Sequence, residues 1–356
     1  MVRVGLIGFG MAGQSFHAPV IRGVEGMQLA CILERHGTRA QEKYPQVRVA
    51  RTLEELLTDQ TIQLCVVATP NDSHFEYAKA CLLADRHVVV DKPFTPTLSE
   101  ASQLVHLAKE QGRLITVYQD RRWDGDFGTI KQIVHSGRLG NIVEYECRYD
   151  RFRPEPKPNA WRERKGQAAA GVLFDLGPHL IDQALVLFGE PRSIMASAFC
   201  ERQTSQVDDS FDVCLEYGET AHGLRAMLRA RIVAFAPGPH FLMHGTKGSF
   251  VKYGMDPQEA RLRGENCPDG TDWGRDWGVE AEELWGTLSV VGEPAAKVKT
   301  ERGDYRGFYA NLRDAIEKNV PLDVTPEQAL RTMRAVILAH KSSREQRTVN
   351  WGENAE

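Results

Sequence analysis

Val4-Gly5-Leu6-Ile7-Gly8-Phe9-Gly10-Met11-Ala12-Gly13, at the start of the chain, points to a class of fold by itself. Its first four residues are small or apolar and suit a buried parallel strand. Gly8-x-Gly10-x-x-Gly13 follows at once, and a helical pattern runs behind it over 14–23. A strand passing through three spaced glycines into a helix is what a dinucleotide pyrophosphate requires. Gly8 permits the tight turn, Gly10 lets the backbone approach the phosphates, and Gly13 lets the helix pack close to the strand. The amide N–H groups at the helix start then face the anion. Glycines at this spacing also punctuate ordinary loops, so the weight comes from the strand before and the helix after.

Beyond this stretch, segments at 27–33, 48–50, 62–68, 86–90 and 114–117 read as further strands, with helical patterns over 53–57, 73–84 and 98–111 among them. Such alternation predicts a parallel sheet covered on both faces. Ligands of such a sheet gather outside the carboxyl ends of its strands. Two turns stand at those ends, Thr69-Pro70-Asn71-Asp72-Ser73 and Asp91-Lys92-Pro93. The second strand closes on Leu33-Glu34-Arg35-His36. An acidic residue roughly 20 positions past the glycine turn accepts hydrogen bonds from the adenosine ribose and selects NAD, and Glu34 fits. Arg35 and Arg39 offer cations that would accommodate the 2′-phosphate of NADP instead. Charge repulsion favours NAD of the two.

Past residue 120 the rhythm changes. A helix is predicted over 126–136, closed by Gly137, and segments 142–152, 193–200, 210–216, 223–235, 241–244 and 249–253 follow. Several alternate apolar with polar residues, as an antiparallel sheet with one covered face does. The expected fold is therefore α/β: an N-terminal Rossmann dinucleotide-binding domain over 1–120, then an α/β domain over 121–356 with a mainly antiparallel open sheet. Residues 254–280, rich in Gly, Asp, Arg and Trp without periodicity, read as a long surface excursion. Helices over 307–318 and 325–343 close the chain, the second opened by Thr325 as N-cap and Pro326 at the first helical position.

Length and composition agree. A chain of 356 residues suits two domains, each large enough to bury a core. A net charge of −4 leaves no electrostatic footprint for nucleic acid or an anionic membrane, and no apolar run reaches spanning length. The short apolar start leads into a glycine turn and not a cleavage site, so no signal peptide is expected. Seven cysteines without a Cys-x-x-Cys pair predict neither a disulfide framework nor a zinc site, and place the chain in a reducing cytoplasm.

Two places could carry chemistry. Lys92 follows the apolar run Val88-Val89-Val90 and Asp91, and Pro93 stiffens the turn that holds it. A lysine beside a cleft can lose a proton readily when desolvated, or hold a substrate oxygen; a surface lysine in a turn is the plainer reading. Asp175 and His179, in Gly171-Val-Leu-Phe-Asp175-Leu-Gly-Pro-His179, are four residues apart and so share a helix face. Gly177-Pro178 suggests that the helix proper begins near Pro178. Histidine beside a carboxylate suits proton transfer, because its pKa lies near neutral and the acid fixes its tautomer. A satisfied core histidine is the alternative.

Gly8-x-Gly10-x-x-Gly13, Thr69-Pro70-Asn71-x-x-His74, Asp91-Lys92-Pro93 and Gly171-x-x-x-Asp175-x-x-x-His179 occur together in the order and spacing of the Gfo/Idh/MocA oxidoreductases, which the chain resembles along nearly its whole length. Phe16-His17-Ala18-Pro19, Arg121-Arg122-Trp123-Asp124 and Asp150-Arg151-Phe152-Arg153-Pro154 are similar to the branch that contains scyllo-inositol dehydrogenases. The resemblance implies nicotinamide-dependent interconversion of a secondary alcohol and a ketone on a small-molecule cyclic polyol or sugar. It implies Lys92, Asp175 and His179 as the catalytic set. The cofactor would touch Phe9, Gly10, Met11, the turn Thr69-Pro70-Asn71, His74, Asp91, Lys92 and Gln119, with Trp161-Arg162 reaching it from the second domain. Arg121, Tyr149, Arg153 and Trp161 are the expected wall of the sugar pocket. The open sheet implies a homodimer or homotetramer. An NAD-dependent glycosidase and an imine or tetrapyrrole reductase on the same fold stand as alternatives. Two departures matter: Asp91 replaces the Glu common before the lysine, and Glu34 stands where the branch often carries small polar residues.

Overall fold

The computed structural model describes residues 1–156, 163, 165–166, 169–218, 221–265 and 267–355. The chain forms two compact units. The first is Met1–Trp123 with Pro257–Trp277 and Asp304–Leu330; the second is Asp124–Asp256 with Gly278–Gly303 and Arg331–Glu356. Among the described residues no helix is long and apolar enough to cross a membrane.

In the first unit β1 (Val2–Ile7), β2 (Met27–Leu33), β3 (Arg48–Ala50), β4 (Leu64–Val67), β5 (His87–Val90) and β6 (Ile115–Val117) form one parallel sheet in the order β3-β2-β1-β4-β5-β6. All four residues of β4 are buried. The continuous apolar runs follow from this, since both faces of the sheet are covered. Successive residues point to opposite faces. Val4, Leu6 and Val66 enter one apolar cluster, and Ile7, Cys65 and Val67 enter the other.

The first cluster is completed from far along the chain. Trp273, Trp277, Tyr305, Phe308, Tyr309 and Leu312 all pack into it. Trp277 is 0% and Trp273 4% exposed, and Gln258–Arg263 is a helix. Residues 254–280 are thus not the surface excursion their composition suggests. The physical reason lies at β1. The helix after the glycine turn, Ala18–Arg22, is five residues long and leaves apolar area on that face for the returning indoles to cover. Ahead of it, Gly13–His17 is a π-helical turn in which Ala18 N–H donates to the Gly13 carbonyl. Pro19 has no N–H to continue an α-helical ladder, and the ladder widens just before it.

The second unit holds β7 (Ile142–Asp150), β8 (Ser193–Phe199), β9 (Ser210–Glu216), β10 (Arg225–Arg231), β11 (Phe241–Gly245), β12 (Gly248–Lys252), β13 (Gly286–Val290), β14 (Ala296–Val298) and β15 (Val349–Asn350) in one sheet, ordered β14-β13-β12-β11-β7-β10-β9-β8-β15. Its neighbours are antiparallel except β7 and β10. Along β10 the expected alternation holds: Ala226, Leu228 and Ala230 are buried while Arg229 and Arg231 pair with Asp212 on the other face, at 3.2 and 2.7 Å. Helix Val172–Phe188 packs against β7, β9 and β10. It begins six residues earlier than Pro178. Val172 N–H donates to the Asp208 carbonyl (2.9 Å) and Leu173 N–H to Asp208 Oδ2 (2.8 Å), so a distant aspartate caps the helix. Gly171 has φ +93°, and a Cβ there would stand 2.0 Å from Asp208 Oδ1. Pro178 is accommodated inside this helix.

A buried charge cluster anchors helix Gly125–Ser136 in the same unit. Asp256 accepts Gly125 N–H (2.7 Å), Asp126 accepts Phe127 N–H (2.7 Å), and Lys252 Nζ donates to Glu280 (2.7 Å). Asp126 Oδ2 lies 3.5 Å from His240 Nε2. Burial first, then the charge of Asp256, push the Asp126 carboxyl up to about 7 against the opposing pull of Lys252. A carboxyl raised in the folded state keeps a proton that the unfolded chain releases. Its contribution to stability is therefore greatest below the unfolded value and declines as pH climbs from about 4 to about 7. Asp126→Asn mimics the protonated acid. Its melting temperature should fall less between about pH 5 and pH 8 than that of the parent, by roughly 3 °C or more. An identical pH dependence of unfolding in the two proteins would contradict this assignment.

Candidate active site

The carboxyl ends of β1, β2, β4, β5 and β6 bring most of the residues singled out in the first unit to one edge. The three glycines differ in what demands them. A Cβ on Gly8 would lie 2.6 Å from the Ala68 carbonyl oxygen, and its φ is +99°. A Cβ on Gly13 would lie 2.4 Å from the Gly8 oxygen. A Cβ on Gly10 would meet nothing within 4 Å. The protein itself requires the outer two, while the middle one leaves an open approach to the backbone, where phosphate would lie. Met11 is 49% exposed, whereas the Phe9 ring is buried edge-on to Tyr44 (6.0 Å) and leaves its backbone for contact.

Glu34 is buried at the end of β2. Its Oε2 accepts Ala40 N–H (3.0 Å), and Arg39 Nε stands 3.3 Å from Oε1. The carboxylate therefore sits at the amide end of the short helix Arg39–Lys43, a favourable place for negative charge. Arg35 beside it is exposed.

The turns after β4 and β5 are tied together by His74. Its wholly buried ring has Nε2 3.0 Å from the Thr69 carbonyl and Nδ1 2.9 Å from that of Pro93, and burial holds its pKa below the ordinary value. Asn71 is buried and Pro70 exposed in the first turn. In the second, the Lys92–Pro93 peptide is cis and Asp91 Oδ1 accepts the Lys92 N–H at 2.8 Å. Burial alone would raise Asp91. Its neighbours His17, whose Nε2 stands 3.9 Å from Oδ1, Lys92 and His74 outweigh it and hold the carboxyl at about 2. Asp91 is thus an anion under Lys92 at every working pH. Gln119, just past β6, is buried, and its Oε1 has no hydrogen-bond partner among the described residues. A glycine turn with an open centre and a waiting buried acceptor fit a dinucleotide. Arg121 is buried, and its guanidinium pairs with Glu259. Burial also lifts neighbouring Asp120 to about 6, with the Arg121 charge opposing and the Asp91 charge adding.

In the second unit Asp175 and His179 lie one turn apart on helix Val172–Phe188, Asp175 half-buried and His179 7% exposed. The ring of Tyr149, wholly buried on β7, lies 6.5 Å from His179 and 5.3 Å from His240. Arg153 is half-buried, its N–H bound to the Ile232 carbonyl (2.7 Å). Trp161 and Arg162 lie outside the described residues. Sequence reasoning on chemistry passed over His17, Asp208 and His240. His17 carried a signal only as part of Phe16-His17-Ala18-Pro19. The other two act through partners distant in sequence, which no local pattern shows.

Residues 2–119 match the family model described as "Oxidoreductase family, NAD-binding Rossmann fold", and residues 131–351 that described as "Oxidoreductase family, C-terminal alpha/beta domain". The uncharacterised oxidoreductase YdgJ of Escherichia coli K12 is 41% identical over 352 residues, 98% of each chain. The scyllo-inositol 2-dehydrogenase (NADP(+)) IolW of Bacillus subtilis is 36% identical over 351 residues, 98% of this chain and 95% of its own. Among solved structures, the oxidoreductase yvaA of Bacillus subtilis has a TM-score of 0.91 at 34% identity over 98% of each chain. The YPO2259 oxidoreductase of Yersinia pestis has a TM-score of 0.90 at 37% identity, covering 98% of this chain and 97% of its own.

Proposed function

The chain belongs to the Gfo/Idh/MocA oxidoreductase family, and from that premise we propose that it interconverts a secondary alcohol and a ketone on a cyclic polyol or sugar. The observation that carries the reading is Lys92, set over a buried anionic aspartate at the carboxyl end of a dinucleotide-binding sheet. The substrate class draws support from a relative whose name gives scyllo-inositol as its substrate.

A bound nicotinamide, NAD or NADP, supplies the acceptance and donation of hydride. The backbone at Phe9–Met11, the Thr69–Asn71 turn and Gln119 would hold it, with His74 fixing the turn. In the proposed chemistry His179 takes the hydroxyl proton at an imidazole nitrogen, Asp175 orients that ring, and the Lys92 ammonium neutralises charge growing on the substrate oxygen. Lys92 and His179 can exchange these two roles. Arg153 would meet sugar hydroxyls, with Arg121 and Tyr149 shaping the wall through the contacts described. Two or four copies would make the working assembly. A cytoplasmic location suits the seven free cysteines.

Nicotinamide choice is proposed to rest on Glu34. Replacing it by Ser removes an anion from the end of β2, and kcat/KM with NADP should rise relative to NAD by roughly tenfold. An unchanged ratio would remove Glu34 from this role. The function itself is tested by a panel of inositols, aldoses and glycosides with each nicotinamide, followed by the absorbance of the reduced ring. Net reduction with a cyclic polyol or sugar is expected. Cleavage of a glycoside without net reduction would point to transient oxidation and elimination, and overturn the reading.

A further inference from the structure

We propose that Asp208 is a positioning residue for Asp175, holding the first turns of the helix on which Asp175 and His179 stand. The inference rests on the role given to Asp175 above, and every contact behind it lies within the second unit. Helix Val172–Phe188 carries Pro178 in its interior. Proline has no N–H to bond the carbonyl four residues back, so residues 172–177 are tied to the rest of the helix by one bond fewer than usual. Asp175 belongs to that leading segment, and His179 follows the proline.

The leading segment takes its hold from outside the helix. Leu173 N–H donates to Asp208 Oδ2 at 2.8 Å, and Val172 N–H to the Asp208 carbonyl at 2.9 Å. The first N–H groups of a helix have no carbonyl of their own helix to meet. These two bonds supply what the ladder cannot, and a carboxylate is the favoured acceptor at that end. Gly171 lets the carboxylate in: it is buried, and a Cβ on it would lie 2.0 Å from Asp208 Oδ1. The Gly171 carbonyl in turn accepts the Asp175 N–H at 3.1 Å. One glycine thus faces the Asp208 carboxylate and bonds the backbone of Asp175.

Asp208 is itself fixed by the residue after it. Asp209, 4% exposed, accepts the Glu201 N–H on Oδ1 (2.7 Å) and the Arg202 N–H and Nε–H on Oδ2 (3.2 and 3.0 Å). The Ser205 hydroxyl donates to the same Oδ2, and the Asp209 N–H donates to the Phe199 carbonyl at 3.0 Å. The capping carboxylate is therefore presented by a built loop beyond β8, and through Gly171 it sets where Asp175 stands. Without it the helix would begin near Pro178, where the sequence alone places its start, and Asp175 would leave the turn before His179.

The test uses Asp208→Ala, Asp208→Asn and Asp175→Asn in the full chain, with two readouts. The first needs neither substrate nor cofactor: amide hydrogen exchange over residues 172–177, read by peptide mass. Exchange should quicken roughly fivefold to tenfold in Asp208→Ala. Residues 182–188, whose amides bond carbonyls from Pro178 onward, should keep the parental rate. Asp208→Asn, which keeps an acceptor oxygen at the same reach, should restore most of the protection. The second readout is kinetic: kcat in Asp208→Ala falls roughly tenfold while the dissociation constant for cofactor stays within about twofold. Added to Asp175→Asn, Asp208→Ala should lower kcat no further, because both act through one side chain. Parental exchange in Asp208→Ala, an Asn variant no better than Ala, or losses that multiply in the double variant overturns the proposal. Should Asp208→Ala fail to fold, parental exchange in Asp208→Ser, whose hydroxyl falls one bond short of Leu173, does the same. Fast exchange in Asp208→Ala beside full activity in Asp175→Asn would uphold the hold on the helix start and refute the role of Asp175 itself.

Discussion

His179→Ala and Lys92→Met should each lower turnover by about 10²–10⁴-fold, the range for losing a positioned acid or base, while the dinucleotide still binds. Binding is retained because the two sets of residues lie on different parts of the chain. His179 belongs to a helix of the second unit, whereas the glycine turn, Glu34, the Thr69 turn and Gln119 belong to the first. Lys92 lies past β5, and its backbone N–H bond to Asp91 does not depend on its side chain. Cofactor titration by quenching of intrinsic fluorescence, beside kcat on the best polyol, separates the two effects. If both variants turn over like the parent, the catalytic assignments fail. If both lose the dinucleotide, the residues hold the cofactor and do not act on the substrate.

Gly10→Ala should loosen cofactor binding roughly tenfold to hundredfold without lowering the melting temperature, because its added methyl meets no protein atom within 4 Å yet stands where phosphate must approach. Gly13→Ala behaves differently. Its methyl would lie 2.4 Å from the Gly8 carbonyl oxygen, so helix and strand must part and stability falls together with binding. The contrast between two alanines three residues apart is the test. Equal loss of stability in both would mean that the open space at Gly10 is absent in solution. Unchanged binding in Gly10→Ala would mean that the pyrophosphate lies elsewhere.

The parallel sheet was legible because its strands are buried on both faces, which leaves continuous apolar runs at 64–68 and 88–90 between helical patterns. The turns at Thr69 and Asp91 were legible for a related reason: they interrupt those runs at the ends where ligands gather. Helix Val172–Phe188 was misread at its start because its cap is Asp208, brought in by the fold from 35 positions away. Trp273 and Trp277 were misplaced because indoles in an aperiodic stretch carry no face, and only the uncovered side of β1 shows where they belong. That Asp175 and His179 stand one turn apart on one helix needed nothing beyond their spacing. The contact of His17 with Tyr309 was illegible, since the two lie on elements far apart in sequence.

The side chains of Lys92 and His179 are proposed to serve hydride transfer between a polyol carbon and a nicotinamide. This role is tested most directly with scyllo-inositol deuterated at its ring carbons. The account predicts deuterium at C4 of the reduced nicotinamide, a slowed rate relative to the unlabelled polyol, and loss of both signals in Lys92→Met and His179→Ala. Consumption of the labelled polyol with its deuterium released to water, or equal transfer in the two variants, would contradict it.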